Sequence, residues 1–92
     1  MSEPLPEFLL YTTEGCHLCE VATQVIATVI DLEQVYVELV DIAEQEDSDG
    51  LIQNYGERIP VIQHVPSGKE IDWPFSVEEF QQWFLLCFEG NR

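Results

Sequence analysis

Positive charge is nearly absent from this chain. Of 92 residues only Arg58, Lys69 and Arg92 are basic, against 18 Asp and Glu, for a formal charge of -15. Such a surface repels phosphate backbones and anionic headgroups, which argues against nucleic acid or a membrane as partner; if charge selects a partner, it selects a basic protein. Long hydrophobic runs are also missing. Nothing approaches the roughly 20 apolar residues that span a bilayer, and Met1-Ser2-Glu3-Pro4-Leu5-Pro6-Glu7 lacks the basic start of a secretion signal. A cytoplasmic, reducing setting is therefore expected, in which a structural disulfide is rare and a transient catalytic one is at home.

Cysteine is scarce: Cys16, Cys19 and Cys87, with no second C-x-x-C. A structural zinc site wants four ligands, and Cys16, Cys19, His17 and His64 would form such a set only if His64 lay beside the other three. No metal and no other cofactor is expected. Internal repeats, low-complexity stretches and linkers are absent, so residues 1–92 are expected to form a single monomeric domain around one modest core. With 46% hydrophobic residues, including two Trp, five Phe and three Tyr, the chain has enough apolar surface to fold despite its acidity.

What is present centres on Cys16-His17-Leu18-Cys19. Phe8-Leu9-Leu10-Tyr11-Thr12 reads as a buried strand and Thr13-Glu14-Gly15 as a turn. Leu18, Val21, Ala22, Val25, Ile26 and Val29 then recur at helical spacing. Cys16 is thus placed at a helix N-terminus, where unpaired amides and the helix dipole favour the nucleophilic thiolate. Glu14 and Glu20 flank it and act in the opposite sense. His17 either steadies the thiolate or faces solvent. Gln34–Ile42 is β-branched and aromatic enough for a second, interior strand, parallel to the first through a βαβ crossover.

An acidic helix entry, Ala43–Gly50, leads to a short helix at Leu51–Gly56 with Gly56 at its C-cap. Arg58–Val65 and Lys69–Asp72 read as an antiparallel hairpin turning at Pro66-Ser67-Gly68. Ser76-Val77-Glu78-Glu79 matches a capping box, and Val77, Phe80, Phe84, Cys87 and Phe88 mark the inward face of a closing helix. The predicted order is β-α-β-α-β-β-α. Cys87 is expected in the core. Trp73, with Pro74 and Phe75, either caps that core or stays exposed as a partner contact.

Thr12–Cys19, Tyr55-Gly56-Glu57-Arg58-Ile59-Pro60-Val61 and Asp72-Trp73-Pro74-Phe75, in this order, resemble the small bacterial glutaredoxin-like family of the thioredoxin superfamily. The resemblance implies an α/β thioredoxin-like fold with a central four-stranded mixed sheet. It further implies a thiol-disulfide oxidoreductase acting on protein disulfides, with Cys16 attacking and Cys19 resolving. Pro60 matches the family's cis-proline beside the cysteine pair, an arrangement that would offer the Ile59 backbone to an extended substrate segment. With Pro60, Ile59, His17 and Trp73 complete the expected substrate contacts.

Departures from true glutaredoxins bear on glutathione. Thr13 stands where a lysine often precedes the attacking cysteine, Glu20 follows the second cysteine, and Asp72-Trp73 occupies the place of a glycine pair. An anionic tripeptide is expected to bind poorly to so acidic a protein. Two rival functions remain open on the sequence: a non-catalytic binding module for a basic protein, and a soft-metal carrier, for instance of Cu(I), using both thiolates.

Overall fold

The computed structural model describes residues 5–89. In chain order it contains β1 (Phe8–Thr12), α1 (His17–Val29), β2 (Val37–Asp41), α2 (Ser48–Tyr55), β3 (Val61–His64), β4 (Glu70–Asp72) and α3 (Val77–Glu89). The strands form one mixed sheet in the order β2-β1-β3-β4. β1 and β2 are parallel, while β1–β3 and β3–β4 are antiparallel. This is the predicted order of elements and the expected thioredoxin-like α/β architecture.

Register decides which side chains meet. Leu10 stands opposite Leu39 on one side and Ile62 on the other, and Phe8 opposite Val37 and His64. Because side chains alternate across a strand, these six share one face. Against that face pack Ala22 and Ile26 of α1 and Phe80, Trp83 and Cys87 of α3, with Phe75. The opposite face carries Tyr11 and Val61, which pack with Ile42 and with Tyr55 of α2. The Tyr11 and Tyr55 rings stack at 4.1 Å between centroids.

The predicted elements change in four places. β2 is an edge strand, not an interior one, because β3 returns along the far side of β1 and leaves β2 paired on one side only. It is also shorter than Gln34–Ile42: the Gln34 and Val35 amides both donate to the Asp31 carbonyl, which closes a turn before the ladder begins. α2 starts at Ser48, inside the acidic entry. β3 starts at Val61, since the Arg58 and Ile59 amides donate to the Tyr55 carbonyl and extend the end of α2.

Gly56 is the C-cap of α2 as predicted, but with right-handed φ -54° and ψ -36°. Its hydrogen is needed for space, since a Cβ there would stand 2.5 Å from the Ile52 carbonyl oxygen. The capping box of α3 closes both ways. The Glu79 amide donates to Ser76 Oγ at 3.0 Å and the Ser76 amide to Glu79 Oε1 at 2.8 Å. The inward face of α3 is Phe80, Trp83 and Cys87, with Phe84 partly buried; Val77 and Phe88, predicted on that face, are exposed. Among the described residues, no helix is long and apolar enough to cross a membrane.

Candidate functional site

The site begins where β1 ends. Gly15, at φ +78°, takes the left-handed turn that L side chains resist, and delivers Cys16 as the N-cap of α1. Cys16 is extended (φ -86°, ψ 100°), and the Cys19 amide donates to its Sγ at 3.1 Å. A sulfur therefore takes the place that a Ser or Asp oxygen usually fills at an N-cap. Cys16 and Cys19 are joined as a disulfide with Cα atoms 5.3 Å apart. One helical turn separates two environments: Cys16 is partly exposed, whereas Cys19 is only 6% exposed, on the face of α1 that packs into the core.

Cys16, Cys19 and His17 share a cavity of about 400 Å³ with Thr13, Glu20, Thr23 and Leu39 on its wall. The His17 side chain is 84% exposed and faces solvent, with its Nδ1 3.8 Å from Glu20 Oε2. No Lys or Arg lines the cavity. Arg58 sits on the other side of the sheet with Tyr55, donating to both Asp72 carboxylate oxygens and to Glu70 Oε1. Asp72 and then Glu70 hold its guanidinium still more firmly protonated than usual. Tyr55 donates to Glu70 Oε2 at 2.6 Å, and burial followed by that contact pushes its phenol above the ordinary range.

The other expected contact residues form a second group off this cavity wall. The Ile59–Pro60 peptide bond is cis, as is Trp73–Pro74, and the Trp73 amide donates to the Pro60 carbonyl at 3.0 Å. Pro60 is fully buried. Ile59 packs against the Tyr11 cluster, and its amide already donates to the Tyr55 carbonyl, so main-chain pairing of a substrate there has to use the Ile59 carbonyl. Trp73 combines its two open readings in part. It is half-buried, edge-on to Phe75 at 5.1 Å, at the margin of the main core.

His64 is not near the cysteines. It lies opposite Phe8, at the far end of β1 from Cys16, fully buried between Glu7 (Nε2 to Oε2, 2.8 Å) and Ser67 (Nδ1 to Oγ, 2.8 Å). Among the described residues, no three His, Cys, Asp or Glu side chains converge in a way that could hold a metal ion. Cys87 is 1% exposed in the main core, and burial pushes its thiol up to about 11.

Sequence reasoning missed Thr23, Leu10 and Leu39 as wall residues. Thr23 could have been found, since it stands seven positions, about two turns, beyond Cys16 on one helix face. Leu39 could not, because its place depends on the β1–β2 register.

The arrangement has what thiol-disulfide exchange needs: a reachable sulfur at a helix N-terminus, and a second, shielded sulfur within bonding distance. Among solved structures, the chain is similar to protein XcR50 from X. campestris at 30% identity and a TM-score of 0.72, covering 86% of this chain and 96% of that one. It is also similar in fold to protein Ne2328 from Nitrosomonas europaea, with 22% identity, a TM-score of 0.63, and coverage of 90% and 96% respectively. No curated protein matches the chain. Residues 7–85 match the family described as "Glutaredoxin-like domain (DUF836)", and the chain belongs to that glutaredoxin-like family, within the thioredoxin superfamily.

Proposed function

We propose that this protein is a thiol-disulfide oxidoreductase that reduces disulfides in other proteins through Cys16 and Cys19. The observation that carries the proposal is the asymmetry of the pair: Cys16 is partly exposed and its Sγ accepts from the Cys19 amide at 3.1 Å, while Cys19 is shielded. In the reduced protein that amide and the end of the α1 dipole favour a thiolate on Cys16. The Cys16 thiolate attacks one sulfur of the substrate disulfide, whose S–S bond breaks. The departing sulfur leaves as a thiolate and takes up a proton. Cys19 then loses its proton and attacks Cys16 Sγ, which forms the Cys16–Cys19 disulfide and frees the second substrate sulfur. Two electrons pass to the substrate, and a cellular dithiol must return them to the protein.

The setting proposed is the reducing cytoplasm, with a monomeric protein and a basic protein as substrate. Glutathione is a poor fit, because Thr13 and Glu20 line the cavity and no cation joins them to hold its carboxylates. No cofactor takes part. The half-buried Trp73 and the Ile59 carbonyl, beside Pro60, are the proposed contacts for an extended substrate segment.

The test combines a potential with a rate. Equilibration against a dithiol couple is expected to place the pair between roughly -200 and -270 mV, the range of cytosolic reductant chemistry. The reduced protein should cleave a protein disulfide, and Cys16→Ser should abolish this. Unchanged turnover in Cys16→Ser would overturn the proposal, as would a potential far outside that window.

A further inference from the structure

On the face of the sheet that packs against α1, the outer strand is only partly covered. Val37 and Leu39 of β2 point to the same side of the sheet as Phe8 and Leu10, yet Leu39 is 64% exposed. The uncovered strip is a second cavity of about 280 Å³, walled by Leu10, Thr23, Ile26, Leu32, Val37 and Leu39 among others. It shares Leu10, Thr23 and Leu39 with the cavity of the cysteine pair, so the two are neighbours along α1 and β2. Its chemistry is apolar. The two side-chain hydroxyls on its wall are already engaged, Thr23 donating to the Cys19 carbonyl at 2.8 Å and Tyr36 to Glu38 at 2.8 Å.

We infer that this pocket between α1 and β2 is a specificity site that receives an apolar side chain of a protein substrate, close in sequence to the substrate cysteine bonded to Cys16. The inference rests on the thiol-disulfide function proposed above. Charge identifies the surrounding segment as basic: Glu20 lines the cysteine cavity and no cation lines either cavity. Spacing follows from the helix. Thr23 and Ile26 lie about 10 and 15 Å beyond Cys16 along α1 at 1.5 Å per residue, which an extended chain at about 3.3 Å per residue covers in three to five residues. The substrate is therefore a protein segment with a Leu-like or aromatic residue three to five positions from its cysteine and Lys or Arg between them.

Lysine-rich nonapeptides bearing one cysteine, as the mixed disulfide with 2-mercaptoethanol, test this in a single turnover with the reduced protein. One series carries Leu, the other Ser, at the fourth position from the cysteine. Leu is expected to react roughly ten-fold faster or more, the discrimination an apolar pocket gives. Leu39→Asp and, independently, Leu32→Asp should bring the two rates within about two-fold of each other. Leu85→Asp, on the exposed side of α3, should leave the ratio intact.

A binding arm uses the Cys16→Ser, Cys19→Ser protein and the Leu peptide with its cysteine replaced by Ser, following amide shifts of Thr23, Val37 and Leu39. Shifts there without exchange in the first arm would support the pocket and overturn the redox function. Exchange at equal rates for Leu and Ser would overturn the pocket and leave the redox function standing. Shifts produced by decanoate but not by the peptide would also overturn it, assigning the pocket to a lipophilic small molecule.

Discussion

Selective alkylation of the reduced protein separates the three cysteines. Cys87 is 1% exposed, and burial raises its thiol from 9.0 to about 11. Two pH units correspond to a thiolate fraction about 100-fold lower than that of the same cysteine in an unfolded chain. Burial adds a further delay, because iodoacetamide reaches that sulfur only through local opening of α3. Cys19 is shielded in the first turn of α1. Cys16 alone is partly exposed with an amide directed at its sulfur. Limiting iodoacetamide at about pH 7.5, followed by peptide mapping, should therefore label Cys16 first and Cys87 last, by a factor of at least about 100 relative to a urea-unfolded control. Preferential labelling of Cys87 would refute both its place in the core and the assignment of Cys16 as nucleophile.

Cys87 also makes stability depend on pH. Its native thiol is raised above the unfolded 9.0, so its contribution is complete below pH 9 and is lost as pH rises toward 11; the loss approaches about 3 kcal/mol at 1.36 kcal/mol per unit. Urea unfolding of Cys87→Ala should show a flatter alkaline slope than wild type over that range, while the steepening above pH 10 from buried Tyr55 remains in both. Phe8→Ala empties a fully buried site between His64, Trp83 and Phe84, and should lower unfolding free energy by about 3–5 kcal/mol with the urea m-value unchanged. For Gly15→Ala the added Cβ meets nothing within 4 Å, so the cost should be conformational alone, about 1–2 kcal/mol in a urea titration.

The elements whose signals are local were legible in the sequence. The capping box at Ser76 and Glu79, the C-x-x-C at a strand-turn-helix junction and the turn glycine at Gly15 each carry their physics within a few residues, and each stands in the structure where it was predicted. What depends on partners distant in sequence was not legible. Trp83, by contrast, could have been read, since Phe80, Trp83, Phe84 and Cys87 stand at i, i+3, i+4 and i+7; its contact with Phe8 could not. The ends of β2 and β3 moved because the Asp31 and Tyr55 carbonyls compete for amides that the apolar pattern assigned to strands. The second cis bond, Trp73–Pro74, carried no signal beyond the proline itself.

The misplacement of β2 and the missed wall of the site have one physical cause. An interior strand would have had both faces and both edges covered, and Val37-Glu38-Leu39-Val40 has the apolar, branched character of such a strand. At the edge, Leu39 is 64% exposed although it is paired with buried Leu10. Folding alone gives no reason to keep it apolar, because a polar residue at an edge position suits solubility and resists strand pairing with other chains. Leu39 lines both the cysteine cavity and the gap beside α1, and the inferred side-chain site would give its apolarity a role. Its replacement by Asp should therefore cost little stability and much selectivity, the opposite of what Phe8→Ala should do. Together the two substitutions test whether Leu39, unlike Phe8, serves the inferred substrate site more than the fold.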